Sequence, residues 1–276
     1  MNQRWLYGQD RYRPAGETIN TRLYDVAPIG TKQAKAFVQT HHYSGPNSWV
    51  YDRFRFGLFT AGRLVGCAVF SHPVNEKIFS FFPGSVRQSV ELGRFVLLDE
   101  VPGNGETFFL GRCFDKLRRA VDTTTGELLN MQGVVSFSDP SARTTATGAL
   151  VFAGHLGTIY AAHNATYVGR ATPRTLRLWP DGHVVNSRRL QKIRSGEKGA
   201  TPAIQELRSF GADDIWDDRA AWLNHWLDRL TRRLHHPGNH KYLWGLSRRA
   251  RLLLPESLAY RKPCCSTSPT HLQFQR

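Results

Sequence analysis

The chain has 276 residues, 41% of them hydrophobic and 12% aromatic, with 37 Lys/Arg against 22 Asp/Glu and a formal charge of +15. That apolar content excludes a disordered chain, which could not bury enough surface to fold, and the lack of any apolar run of about 18 residues excludes a transmembrane helix of ordinary length. The charge favours a polyanionic partner: DNA, RNA or an anionic membrane surface.

Residues 1–20 are polar and aromatic without period and read as a flexible arm. Residues 22–30 (RLYDVAPIG) read as a short strand. Over 31–43 (TKQAKAFVQTHHY), Thr31 is an N-cap and Ala34, Phe37 and Val38 share a helical face. Gly45-Pro46 cannot continue that helix, so it ends near Tyr43. Residues 53–72 form a hairpin: Phe54, Phe56 and Leu58 alternate, TAGR turns, and LVGCAVF returns as a central strand. Residues 90–101 are a strand, and 102–122 a glycine-bearing loop leading into a helix. There Phe109, Leu110, Cys113, Leu117 and Val121 have helical spacing. A buried strand at 133–140 ends at Asp139, and 157–165 is helical. A hairpin at 175–186 turns at Pro180-Asp181-Gly182. Beyond it come basic helical stretches. In the helix over 217–236, Trp222, Trp226, Leu227, Leu230 and Leu234 form a stripe that reads as core. KYLWGL is a last strand.

Strands with interleaved helices predict an α/β (α+β) protein with a mixed central sheet. The divisions are an arm (1–20), a core (21–186), a basic, mainly helical extension (187–262) and a disordered tail (263–276). Residues 187–276 hold 17 Lys/Arg against 8 Asp/Glu, which makes the extension the expected phosphate-binding part. Its candidates are Arg188, Arg189, Lys192, Arg194, His240 and Lys241. Four cysteines have neither disulfide nor zinc spacing. The N-terminus lacks the apolar stretch of a secretory signal. Both observations suit a reducing, cytoplasmic protein.

In order, HHYSG, ELGRFVLLDEVPGNGETFFL, SFSDP, GTIYAAHNATYVG and PGNHKYLWGL resemble the Mom family of phage DNA-modification proteins, over roughly residues 22–262. The resemblance implies a fold related to GNAT acyltransferases and conversion of adenine N6 in DNA to its carbamoylmethyl form. It also implies protection of phage DNA from host restriction, a site for acetyl-CoA or a related acyl donor, and iron. Double-stranded DNA would be the partner and the host bacterial cytoplasm the location. The family's His-Tyr pair maps onto His42 and Tyr43, its acidic strand-end residue onto Asp139, its strand arginine onto Arg94 and its Gly-x-x-Tyr tyrosine onto Tyr160. Thr107 stands where a serine is usual.

The residue chemistry leaves alternatives open. His42, Tyr43 and Asp139 together suit iron. Equally, His42 could cap a helix, Tyr43 pack in the core and Asp139 end a strand in an Asp-Pro turn. Asp139 could instead take the N6 proton. Arg94 could grip a cofactor phosphate or pair with Glu91 or Asp99. Asn104, Gly105 and Thr107 could cradle a pyrophosphate at a helix N-terminus, or only cap the helix. A flipped adenine would stack on Trp49 or Tyr51. Two rival functions are an N-acetyltransferase for a small molecule or protein, and a non-enzymatic DNA-binding protein.

Overall fold

A computed structural model describes residues 2–6, 9–13, 18–43 and 49–260, with side chains from residue 18 onward. The expected tail at 263–276, with Cys264 and Cys265, lies outside the described residues, as does the Gly45-Pro46 turn.

Within the segment expected to be an arm, β1 (Asn2–Leu6) and β2 (Gln9–Arg13) pair as an antiparallel hairpin. After β3 (Tyr24–Pro28), helix α1 (Thr31–His41) begins at Gly30, so Thr31 is its first residue rather than its cap. The hairpin β4 (Asp52–Thr60) and β5 (Arg63–Ser71) leads to β6 (Ser89–Leu97) and helix α2 (Gly105–Arg118). Next come β7 (Gly133–Ser138), a small hairpin of β8 (Arg143–Thr144) and β9 (Leu150–Phe152), α3 (Thr158–Ala162), β10 (Thr166–Arg170) and β11 (Arg174–Leu178). Three helices follow: α4 (Ser187–Ser195), α5 (Thr201–Ser209) and α6 (Arg219–Leu230). The described chain closes with β12 (Arg232–His236), β13 (His240–Gly245) and α7 (Arg248–Leu252).

Seven strands form the central sheet, in the order β10-β13-β7-β6-β5-β4-β3. Every neighbouring pair is antiparallel except β6 and β7. Their pairing runs from Ser89–Gly133 to Leu92–Ser136 and stops there, although both strands continue. Past that point β6 stays bonded to β5 and β7 to β13, so the sheet parts into two halves.

Strand β5 is almost wholly apolar because both its faces are covered. Ala68 and Phe70 meet Phe109, Leu110, Cys113, Phe114 and Leu117 of α2 on one side. Cys67 and Val69 meet Ala34, Phe37 and Val38 of α1 on the other. Each such large buried side chain contributes about 1.5–3 kcal/mol relative to exposure.

The boundary expected at residue 187 does not divide the molecule. β13 returns to the middle of the sheet, between β10 and β7. Strand β12 occupies residues expected to be helical and pairs with β11, from Arg174–His236 to Leu178–Arg232. The turn at Pro180–Gly182 exists, with Trp179 N–H bonded to the His183 carbonyl at 2.9 Å, but β11 takes its main partner from 54 residues downstream. Residues 179–231 are therefore an insert carried on a two-stranded ribbon. The insert has its own core of Trp179, Leu190, Ile193, Leu207, Trp222, Leu223 and Leu227.

Asp213 organises that core, accepting from the indoles of Trp222 (2.8 Å), Trp226 (2.7 Å) and Trp216 (3.3 Å). Trp222→Phe keeps a buried aromatic but removes one of these bonds and leaves a void. It is expected to cost about 1–2 kcal/mol, seen as a lower urea midpoint and earlier proteolytic cleavage within 179–231. Unchanged resistance to both would show that Trp222 does not organise the insert.

Candidate functional site

Helix α1 ends one residue before the His-Tyr pair. The His42 backbone N–H bonds to the Val38 carbonyl at 2.9 Å, and its extended backbone turns the chain away. His42 is buried and stacks on Tyr43, with ring centroids 4.2 Å apart. Tyr43 stacks on Phe152 at 4.6 Å, and the Arg143 guanidinium lies over the Phe152 ring at 4.3 Å. Arg143 in turn bonds to Asp139 Oδ2 at 2.7 Å. A stacked column thus connects the end of α1 to the end of β7.

Asp139 is the first residue after β7 and is held from three sides. Oδ2 accepts from Arg143. Oδ1 accepts from Ser141 N–H at 3.0 Å and faces His236 Nε2 at 2.8 Å. The Gly238 N–H donates to His236 Nδ1 at 3.0 Å. A neutral His236 therefore carries its proton on Nε2 and donates to Asp139. Burial pushes the Asp139 carboxyl up, but Arg143, His236 and Ser141 outweigh it and hold it below its ordinary range.

His155 completes this wall. Its N–H bonds to the Asp139 carbonyl at 2.7 Å, and its Nε2 lies 3.4 Å from the Tyr43 hydroxyl. Burial lowers its pKa to about 4, so the imidazole is neutral near pH 7. Burial likewise raises the Tyr43 phenol, with Tyr160 adding to the effect.

Arg94 approaches from the other half of the sheet. Burial lowers its pKa, while Tyr43, Glu91 and Tyr160 act on it electrostatically in the opposite direction. Tyr160, from α3, is buried and packed edge-on against Tyr242 and Trp244. His42, Tyr43, Arg94, Asp139 and Tyr160, which span 119 residues of sequence, thus share one neighbourhood beside the parting of β6 and β7.

Three residues of this wall were not singled out from sequence. Arg143 lies four residues after Asp139 in a loop without period. His155 precedes the Gly157-x-x-Tyr160 motif by two. His236 directly precedes the PGNHKYLWGL motif, and its partner lies 97 residues away.

The expected iron ligands do not fit a metal as arranged. Asp139 already accepts three hydrogen bonds, one of them from a guanidinium whose charge would oppose a cation. Among the described residues no group of three His, Cys, Asp or Glu side chains is placed to hold a metal ion.

At the start of α2, Asn104 adopts a left-handed backbone and makes no side-chain cap bond. The Thr107 hydroxyl donates to the Asn104 carbonyl at 3.0 Å. Gly105 is required by packing, since a Cβ there would lie 2.4 Å from Val101. Glu106 in the first turn is buried, so a carboxylate already occupies the helix end that would favour an anion.

The expected DNA-binding residues do not form one exposed patch. Arg188 pairs with Glu197 at 3.0 Å and Arg189 with Glu206 at 2.6 Å. Lys192 and Arg194 are on the same helix, α4. His240 is fully buried, with Nδ1 2.7 Å from the Tyr167 hydroxyl, and cannot reach a phosphate. Lys241 donates to the Ile78 carbonyl at 3.1 Å and lies over the Phe81 ring. Of the two expected stacking residues, Trp49 is tied to Asp52 at 3.2 Å, whereas Tyr51 is 79% exposed.

A family model described as the Mom protein family matches residues 23–260. No curated protein matches the chain. Among solved structures, a probable acetyltransferase from Staphylococcus epidermidis ATCC 12228 is 6% identical, with a TM-score of 0.33 over 81% of this chain and 99% of that one. A tandem GNAT protein from the clavulanic acid biosynthesis pathway, solved without AcCoA, is 9% identical, with a TM-score of 0.33 over 74% of this chain and 65% of that one. At such scores neither likeness carries an argument about this chain.

Proposed function

We propose, from the premise that this chain belongs to the Mom protein family, that it is a DNA-modifying transferase. It converts adenine N6 in duplex DNA to the carbamoylmethyl form and so protects phage DNA from host restriction in the bacterial cytoplasm. The observation that carries this reading is the grouping of the family's motif residues around Asp139, with a neutral histidine beside a buried tyrosine.

Adenine N6 is a weak nucleophile because its lone pair is delocalised into the ring. Two things are needed: an acceptor to orient the N6–H, and a site for the proton as the new N–C bond forms. Asp139 stays ionised and has acceptor capacity left on Oδ2, which suits orientation. Its depressed pKa makes it a poor proton acceptor. His155, neutral beside Tyr43 but lowered by burial to about 4, is likewise a weak base, so the proton is assigned to neither group and both serve to orient the N6–H. Arg94 would steady negative charge on the donor's reacting group.

An acyl donor such as acetyl-CoA is the expected ligand, but N6 attack on its thioester carbonyl would release CoA and give an N6-acetyl group, so the N–CH2 bond of the carbamoylmethyl product is assigned to no step on this donor. The parting of β6 from β7 suits the donor's chain; the buried Glu106 opposes an anion at Asn104, Gly105 and Thr107, so the donor's phosphates are not placed there. A separate open cleft of about 380 Å³ lies along α2, lined by Thr107, Gly111, Arg118 and His163. No step is assigned to iron. No helix among the described residues is long and apolar enough to cross a membrane.

The test is mass spectrometry of nucleosides from the DNA of cells expressing the chain. An adenosine adduct of carbamoylmethyl mass is expected. Unmodified adenine together with acetyl-CoA turnover on amines would favour an N-acetyltransferase instead.

A further inference from the structure

We propose that duplex DNA docks on the β11–β12 ribbon and the adjoining end of β10, with its phosphates on Arg170, Arg174 and Arg232. The proposal rests on the DNA-modifying reading above and moves the expected phosphate site from α4 to the ribbon.

Charge partition is the first argument. The insert, residues 179–231, holds eight Lys/Arg and eight Asp/Glu and is electrically neutral. The basic excess of the C-terminal third lies after it: residues 232–262 hold eight Lys/Arg against one Asp/Glu. On α4, two of the four expected cations are neutralised by Glu197 and Glu206.

Position within the sheet is the second. The cations after residue 231 fall mainly on the ribbon and on α7. Strand β13 is antiparallel to β7, so Gly245, just before α7, faces Gly133, while His240 faces Ser138 beside Asp139. Helix α7 therefore lies at the end of the sheet away from Asp139, and the ribbon at the end near it. Arg174 pairs across the ribbon with His236, whose imidazole holds Asp139. Arg170 pairs with His240 at the same end.

The third argument is the alternation along the ribbon. One face carries Arg174 and Arg232 at its two ends, with Leu176, Leu178, Leu234 and the buried His236; the other carries Thr175, Arg177, Arg233 and His235. Thr175, Arg233 and His235 are exposed, as are Arg170, Arg174 and Arg232. Arg177 and Arg233 share Asp228, at 2.6 and 3.1 Å. Arg232 is steadied by the Thr144 carbonyl at 2.6 Å. Among the described residues, Arg170, Arg174 and Arg232 have no carboxylate within ion-pair distance. Arginines without an acid to neutralise them, on a narrow ribbon bordering the catalytic wall, suit a sugar-phosphate backbone that must lie close while one base is extruded.

The experiment is fluorescence anisotropy of a labelled duplex of about 20 base pairs between about 50 and 200 mM salt. Four full-length proteins are compared: wild type, a triple variant (Arg170→Ser, Arg174→Ser, Arg232→Ser), Thr175→Glu, and Arg248→Ser with Arg249→Ser on α7. The triple variant is expected to bind at least tenfold more weakly, with the slope of log K against log salt reduced by about 2–3. The α7 variant should stay within twofold of wild type. Thr175→Glu puts a negative charge on the exposed residue next to Arg174, within about one Debye length of the bound backbone, and is expected to weaken binding about tenfold. It decides the question if circular dichroism shows the triple variant misfolded. Wild-type affinity in the triple variant or in folded Thr175→Glu overturns the ribbon assignment and leaves the DNA-modifying reading standing. Equal loss in the α7 variant overturns it too. Failure of the wild type to bind duplex at low salt, or its preference for phosphatidylserine vesicles, removes the DNA reading itself.

Discussion

Asp139→Asn is expected to reduce the modified nucleoside in cellular DNA by about a thousandfold, while leaving a folded protein of reduced stability. Three donors converge on Asp139: Arg143, His236 Nε2–H and Ser141 N–H. An asparagine offers one oxygen and turns the other position into a donor. If the oxygen serves His236 and Ser141, the amide nitrogen faces the Arg143 guanidinium. If the side chain flips, His236 loses its acceptor. Either way a buried donor is stranded, and Arg143, 10% exposed, has no anion. Leaving one member of such a pair unpaired costs about 2–4 kcal/mol, the low end applying because Asp139 keeps some solvent contact. The orienting carboxylate is lost with it. Nucleoside mass spectrometry on cells with matched protein levels reads the activity, and urea unfolding reads the stability. Full product with the variant would place Asp139 outside the reaction; loss of product with no protein recovered would make it a folding residue only.

Gly238→Ala is expected to destabilise the whole chain by more than about 3 kcal/mol and to abolish activity in any folded remainder. Gly238 has φ +91°, a backbone region that L side chains rarely adopt. An added Cβ would lie 1.8 Å from the Ala171 carbonyl oxygen, and backbone cannot swing aside as a flexible side chain can. The turn must therefore open. Its N–H would then leave His236 Nδ1, freeing the imidazole that fixes Asp139. The same turn joins β12 to β13, so the ribbon and a central strand shift together. A urea midpoint within the error of wild type would show that the turn relaxes at little cost.

Several features were determined by the sequence alone. The period-two run of the 53–72 hairpin and the apolar return strand gave β4 and β5, because a strand covered on both faces needs apolar residues at every position. Helical spacing of Phe109, Leu110, Cys113 and Leu117 gave α2. Charge and ordered motifs gave the family. Only tertiary structure decided the rest. Whether 217–236 is one helix depended on a strand partner at 174–178, and no local pattern carries a pairing across 54 residues. The extension expected at 187 became an insert for the same reason, since β13 finds its place by pairing with β7 and β10. The site divides likewise. His42, Tyr43, Arg94, Asp139 and Tyr160 were legible as motif residues, each beside a local break in pattern. Arg143, His155 and His236 were not, because a residue that orients another through a hydrogen bond is defined by distance in space. The basic surface separates by the same rule: composition counts arginines, and only the fold decides which of them meet a carboxylate.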